Sequence, residues 1–199
     1  DLSSFDVKLE ATERLRVIFI GKEARRKGLE MLVAGWKLLA AQERARIDVQ
    51  VVSSLLDGAV SLPESWHWQR FVPDLQAAIE SAHVLALPSL AEAYGLVLVE
   101  GMAAGCAPLT TRAPIQRSIV GAEAGVFVDP RQPNEIAGAL SRLLRDADYR
   151  RDRMRAARAH FVMRYHPRVV SQNYADLLWS AGGRSGACPR RATHANGVE

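Results

Sequence analysis

The stretch Pro88–Gly105, PSLAEAYGLVLVEGMAAG, constrains this chain more than any other. An apolar strand, Val84–Leu87, runs into Pro88, a polar loop carries Glu92, and the pattern predicts a helix from about Gly95. Leu96-Val97-Leu98-Val99 is apolar on every face of that helix rather than along one stripe, which predicts burial. Glu100 nevertheless falls inside it, a little over one turn from the start. A carboxylate in a buried helix is costly unless something hydrogen-bonds to it. A helix start also points unpaired N–H groups outward and carries partial positive charge, which suits a phosphate. The segment therefore predicts a phosphate seat with a carboxylate on either side. A ligand with hydroxyls at both ends and a diphosphate between, the build of a nucleotide-sugar, meets that description.

A second anion-seeking stretch lies upstream. Arg16-Val17-Ile18-Phe19-Ile20 reads as a strand and is followed at once by Gly21-Lys22-Glu23-Ala24-Arg25-Arg26-Lys27-Gly28. A helix is predicted over 29–41, with Leu29, Leu32, Val33, Trp36 and Leu39/Ala40 on one stripe. Strand, basic glycine loop and helix together make an anion site in a doubly wound sheet. It is not a P-loop, because Lys27 precedes its glycine and no G-K-(S/T) follows, so adenylate chemistry is not expected.

The rest of the chain keeps alternating. Asp48–Val52 reads as a strand, and 53–65 as a loop punctuated by Gly58 and Pro63. Trp66–Val72 alternates weakly and leads to Pro73-Asp74, with Asp74 the N-cap of a helix over Leu75–Ser81. His67 reads as a half-exposed residue of a strand edge rather than a catalytic one, and His83 as structural. Ala107–Thr110 and Gly125–Val128 are further strands, with Thr111–Arg117 as a loop after the first. Pro133–Leu144 is an amphipathic helix opened by proline, Pro167–Ser180 the last helix, and 182–199 a stretch without periodicity expected to be a flexible tail. The fold class is α/β: a Rossmann-like doubly wound parallel sheet with helices on both faces. Such sheets bind ligands at the carboxyl ends of their strands, where both motif loops fall.

Composition bounds the function classes. At 199 residues, 48% hydrophobic and 24% charged, the chain suits one α/β domain with a full core. No run approaches the length of a membrane span and no signal peptide opens the sequence, so a cytoplasmic location is expected. Two cysteines, Cys106 in a core segment and Cys188 near the end, do not make a disulfide framework. The net charge of +4 is too mild to imply nucleic acid as a partner. The start at Asp1 suggests a piece of a longer protein. Between Arg142 and Arg168, nine arginines face three aspartates, and Arg151, Arg155 and Arg158 share one helical face. The first reading of that face is a solvated exterior. The second is peripheral contact with an anionic membrane on its inner side.

Two motifs carry a family resemblance. PS-x2-E-x-(F/Y)-G-L-x3-E-x-M-A-x-G over 88–105 resembles the E-x7-E segment of retaining GT-B glycosyltransferases. These are the large group 1 family (family 4), which includes glycogen synthases and many bacterial envelope sugar transferases. The upstream loop is similar to that family's G-(R/K)-x4-K-G. The resemblance covers about residues 1–180 and implies the C-terminal, donor-binding half of such an enzyme: 1–14 the remnant of an interdomain linker, resembling a D-L-x-x-F segment at Asp1–Phe5, 15–181 the donor domain, and 182–199 the tail.

It implies retaining, metal-independent transfer of a hexose from a nucleotide-sugar such as UDP-glucose or GDP-mannose, without a cofactor or metal site. The acceptor domain is then a partner within the same parent protein, and the isolated piece is expected to be inactive without it. A lipid-linked or envelope glycan is a suitable acceptor.

Carried over residue by residue, Glu92 and Lys27 take the catalytic positions, Glu92 holding sugar hydroxyls and Lys27 neutralising the diphosphate. Lys22 and Arg26 join Lys27. Backbone N–H groups of Leu96 and Val97 behind Gly95 meet the phosphate oxygens, Glu100 the ribose, and backbone near Val72 the nucleobase. The chain departs from the family at Ala113-Pro114-Ile115, where many members have glycines, and at His83, where members often carry Asp. A GT-B nucleotide-sugar epimerase half and a non-catalytic nucleotide-sugar binding module are the alternatives.

Overall fold

The computed structural model describes residues 13–54 and 60–181. Readings that fall on 1–12, 55–59 or 182–199, among them the D-L-x-x-F segment, Gly58, Cys188 and the tail, lie outside the described residues. Two compact units are divided after Phe161.

The first unit alternates as the sequence predicts. β1 (Leu15–Ile20) is followed by α1 (Leu29–Lys37) and the short α2 (Ala41–Arg44), then β2 (Ile47–Val52) and β3 (His67–Gln69). After these come α3 (Leu75–Ser81), β4 (Val84–Leu87), α4 (Leu96–Ala103), β5 (Ala107–Thr111), α5 (Pro114–Val120), β6 (Val126–Val128), α6 (Pro133–Arg145) and α7 (Ala147–Arg164), whose last turn enters the second unit.

All six strands are parallel and lie in the order β3-β2-β1-β4-β5-β6. Right-handed crossovers place α1 and α6 on one face, where they pack against each other. The same rule places α3, α4 and α5 on the other face. Central strands covered on both sides must be apolar throughout, and every residue of β4 is buried. β2 alternates instead, with Val49 and Val51 buried and Asp48 and Gln50 half-exposed, because one of its faces is less covered. The order reverses at β1: β2 and β3 are laid to one side of it, and β4, β5 and β6 to the other. The loops leaving β1 and β4 therefore flank the switch point, and these are the two motif loops.

Polar side chains close several helix ends. Asp74 Oδ1 accepts from Ala77 N at 2.9 Å, the predicted N-cap of α3. Arg150, 2% exposed, donates to the carbonyl of Leu143 at 2.7 Å and terminates α6 from the next helix. Glu43 in α2 accepts from Ser141 Oγ at 2.5 Å, Arg145 Nε at 2.8 Å and Ala40 N at 3.1 Å, tying α2 to α6. His83 is buried, and its Nδ1 accepts from Arg16 N at 3.0 Å, in keeping with a structural role. His67 is exposed on the edge strand.

Four expectations are corrected. The helix predicted over 29–41 ends at Lys37, and a separate turn, α2, begins at Ala41. The strand predicted over Trp66–Val72 shrinks to β3, because an edge strand lasts only while its one neighbour, β2, runs beside it. Residues expected to form a loop after β5 form α5, in which Pro114 opens the helix and its missing N–H falls where none is needed. The helix carrying Glu100 is not buried on all sides: Leu98, Gly101 and Met102 are buried, Leu96 is 66% exposed, and Glu100 faces solvent.

The arginines of α7 are largely engaged inside the unit. Arg150 caps α6, Arg151 pairs with Asp148, Arg153 lies over the Tyr149 ring, and Arg158 donates to the carbonyl of Ala103. That leaves Arg155 as the exposed member of the shared face. In the second unit, α8 (Pro167–Ala181) buries none of its residues and exposes Val170, Tyr174, Leu177 and Leu178. No helix among the described residues is long and apolar enough to cross a membrane.

Candidate functional site

The site is built where the two motif loops meet. Gly28 closes the first loop at φ +84°, and a Cβ there would stand 1.9 Å from the carbonyl oxygen of Pro88. Only glycine lets the backbones approach so closely. The loops are then laced together: Leu90 N donates to the carbonyl of Arg26 at 2.9 Å, and Arg26 Nη1 to that of Ala91 at 3.1 Å. Arg26 also pairs with Glu23 through Nε at 2.7 Å, and this bond holds the Glu23 carboxyl below its ordinary range. Arg26 is thus occupied as a staple.

Across this seam Lys27 Nζ pairs with Glu92 Oε2. Their side chains are only 16% and 6% exposed, so the pair is largely withdrawn from water. The other carboxylate oxygen of Glu92 accepts from Ala93 N at 3.1 Å. Lys22, by contrast, is exposed and has no hydrogen bond or ion pair among the described residues. The hydroxyl of Ser89 is buried in the second loop, also without a partner among the described residues.

Gly95 opens α4 at φ +79° and supplies no capping side chain, so the N–H groups of Leu96 and Val97 begin the helix uncapped. A Cβ on Gly95 would crowd Glu92 Cγ at 3.3 Å, which places the start of α4 directly beside that carboxylate. Glu100, one turn further, opens onto a different space. It lines a groove of about 410 Å³ between α3 and α4, with Leu75, Gln76, Ile79, Glu80, Ala103 and Ala104. Val72 is buried in the loop after β3, and its neighbour Phe71 is 77% exposed.

The structure thus joins Lys27, Arg26, Glu92 and Gly95, and sets Glu100 in the groove between α3 and α4. Sequence reasoning missed the Arg26 staple and the exposure of the apolar side chains Phe71, Tyr94 and Leu96. Their exposure has no signal in an apolar run, and the staple depends on loops 65 residues apart in the chain.

A larger cavity, about 640 Å³, lies toward the amino ends of β1–β3 and is lined by Arg16, Asp48, Gln50, His67 and Gln69, among others. Its polar groups are engaged: Asp48 pairs with Arg14, and Gln50 Nε2 donates to Gln69 Oε1 at 3.0 Å. It lies away from the motif loops and is not the site. Among the described residues there is no group of three or more His, Cys, Asp or Glu side chains placed to hold a metal.

Fold and site together define a doubly wound α/β domain in which a cation, a carboxylate and a bare helix start come together at the switch point. The sequence matches the model of the family described as glycosyl transferases group 1 over residues 3–160, and the chain belongs to that family.

The D-inositol 3-phosphate glycosyltransferase of Paenarthrobacter aurescens is 27% identical over 166 residues, which is 74% of this chain and 40% of that protein. The enzyme of the same name from an Arthrobacter species is 30% identical over 162 residues, 74% and 38% of the two chains. The chain therefore spans roughly two-fifths of the length of these curated relatives. Among solved structures, the Anabaena protein Alr3699/HepE in complex with UDP-glucose superimposes with a TM-score of 0.72 at 17% identity, over 90% of this chain and 53% of its own. WaaG, a glycosyltransferase involved in lipopolysaccharide biosynthesis, gives 0.65 at 21% identity, over 81% and 47%. These likenesses show the fold.

Proposed function

We propose that this chain is the donor-binding half of a retaining glycosyltransferase and holds a nucleotide-activated hexose at the β1/β4 switch point. The Lys27–Glu92 pair across the two loops, beside the uncapped start of α4, carries the reading. It puts positive charge, a carboxylate and outward N–H groups within one small space. The diphosphate lies against the N–H groups of Leu96 and Val97, with Lys27 and the unengaged Lys22 neutralising it. Glu92 accepts from sugar hydroxyls. Glu100, on the groove side of the helix, accepts from the ribose, and the backbone at Val72 meets the base. UDP-glucose is the donor of first choice, since a structural neighbour holds it.

In this arrangement catalysis consists chiefly of stabilising the departing diphosphate. Preorganised donors and cations match the negative charge that grows there as the glycosidic bond breaks. With that charge met by lysines and a helix start, the transfer proceeds without a metal; retention at the anomeric carbon is what the E-x7-E resemblance implies. The acceptor and its surface belong to the remainder of the parent protein, the N-terminal half of a GT-B pair. A lipid-linked or envelope glycan is the acceptor class this reading favours, and the inner face of a membrane is then the place of work. The engaged arginines of α7 lend little to a membrane-binding role for that helix.

The test uses the full-length parent with UDP-glucose in EDTA, and the product anomer is read by NMR. Transfer with retention in EDTA is the expected result. Inversion, or a strict need for Mn2+ or Mg2+, would overturn the mechanism.

A further inference from the structure

We infer that Glu92 makes the site prefer the sugar-bearing donor over the bare nucleoside diphosphate, by holding Lys27 in an ion pair that a ligand must open. The inference rests on the nucleotide-sugar reading above and adds a selection step to it.

Lys27 and Glu92 are joined across the seam, and Arg26, the other cation that acts on Glu92, is bonded to Glu23 and to the carbonyl of Ala91. Lys27 Nζ meets Glu92 Oε2 with both side chains largely out of water, and the second carboxylate oxygen has only the adjacent N–H of Ala93. The backbones carrying them cannot drift apart to ease a separation. Gly28 lies against Pro88, Leu90 N is bonded to Arg26 O, and Arg26 to Ala91 O. Opening the pair is therefore a matter of side-chain rotation within a fixed frame.

That geometry treats two ligands differently. A bare diphosphate offers Lys27 a new anion but offers Glu92 nothing, and leaves a carboxylate that is 6% exposed without its cation. Removing one partner from a buried pair is strongly unfavourable because the other charge stays behind. A donor that still carries its sugar supplies hydroxyls to Glu92 in the same event, and charge-assisted hydrogen bonds offset the loss of the cation. Only a ligand with a phosphate for Lys27 and hydroxyls for Glu92 matches both halves of the opened pair. A ligand shifts such an equilibrium only by its differential interaction with the two states. Once the sugar has left, Glu92 reclaims Lys27 and the nucleoside diphosphate is held less tightly. The carboxylate thus favours loading of donor and release of product.

The experiment is calorimetric titration of the 199-residue chain with UDP and with UDP-glucose, for wild type, Glu92→Gln, Lys27→Ala and the double variant. If GDP or ADP binds more tightly than UDP, that nucleotide and its sugar conjugate replace the uridine pair. In wild type the sugar conjugate binds more tightly than the diphosphate. In Glu92→Gln the amide no longer neutralises Lys27, so affinity for the bare diphosphate rises by about tenfold, close to the low end of coupling between close charge pairs. The conjugate gains less, and the preference shrinks or inverts. In the Lys27→Ala background the glutamine has no such effect, since there is no ammonium to release. Should Glu92→Gln unfold, Glu92→Asp carries the same test with its carboxylate one methylene short of Nζ. Unchanged or weaker diphosphate binding in the position-92 variant, while wild type binds and Lys27→Ala weakens it, overturns the selection step and leaves the donor-site reading standing. Absence of binding by every nucleotide in folded wild type overturns both.

Discussion

A Cβ added to Gly28 would lie 1.9 Å from the carbonyl oxygen of Pro88, although the two residues are 60 apart in the chain. The contact joins the loop after β1 to the loop after β4, so the spacing of the whole site depends on a missing side chain. Gly28→Ala meets both a backbone atom and a left-handed φ of +84°. The left-handed strain alone is worth about 1–2 kcal/mol. With the displacement of Pro88 added, the expected loss is about 3 kcal/mol, read from the urea midpoint at unchanged m-value. A change within 0.5 kcal/mol would mean the loops are not in contact.

Arg150 gives a second prediction. It is buried, and its guanidinium reaches back to the carbonyls of Leu143 and Leu144 at the end of α6, at 2.7 and 3.4 Å. Arg150→Met keeps much of the volume but withdraws the donors from those carbonyls. Hydrogen bonds to charged groups of this kind contribute about 1.5–3 kcal/mol, and the variant should lose a similar amount of stability in chemical denaturation. The arginine-rich composition of α7 follows in part from such internal duties.

Glu43 sets a pH dependence. Its carboxyl is held below the ordinary value of 4.5, first by the hydrogen bond from Ser141, then by Arg145 and the N–H of Ala40, against the opposing effect of burial. A depressed folded-state pKa means that the unfolded chain binds more protons around and below pH 4.5, so stability rises with pH across that window. The contribution is complete above the ordinary value and is lost as pH falls through the lowered one. Glu43→Gln should therefore cost about 1–2 kcal/mol at neutral pH. That difference should begin to shrink as the pH falls below the ordinary value of 4.5. Urea titrations of both proteins at pH 7 and pH 3.5 check it, and a difference that persists undiminished in acid contradicts the assignment.

Much of this architecture was legible in the sequence because local rules and the fold agree. The apolar runs at β1, β2 and β4 are strands within a residue of their predicted bounds, and Asp74 caps α3 as its position before Leu75 requires. The misreadings arise where tertiary context decides. Leu96–Val99 is apolar all round, which ordinarily means burial, yet Leu96 is exposed and Glu100 with it. Pro114 falls within the stretch expected to be a loop, and its missing N–H is what lets it open α5. The two motif loops could be read separately, and their shared location followed from the alternation of strands and helices. That Lys27 would close on Glu92, and that Arg26 would be occupied as a staple, follows only from the contact of Gly28 with Pro88 and was not in the pattern of either loop.

The most direct test of the central claim is calorimetric titration of the chain with UDP, GDP, ADP and UDP-glucose, for wild type and for Lys27→Ala and Glu100→Ala. One of the two residues lies in the loop seam and the other in the groove with Leu75 and Gln76. A diphosphate against Lys27 and a ribose against Glu100 each lose a charge-assisted contact on truncation. The account predicts binding of one nucleotide, weakened about tenfold or more by either substitution, in line with the cost of charged hydrogen bonds. Binding indifferent to both substitutions, in folded variants, would place the nucleotide elsewhere and contradict the account.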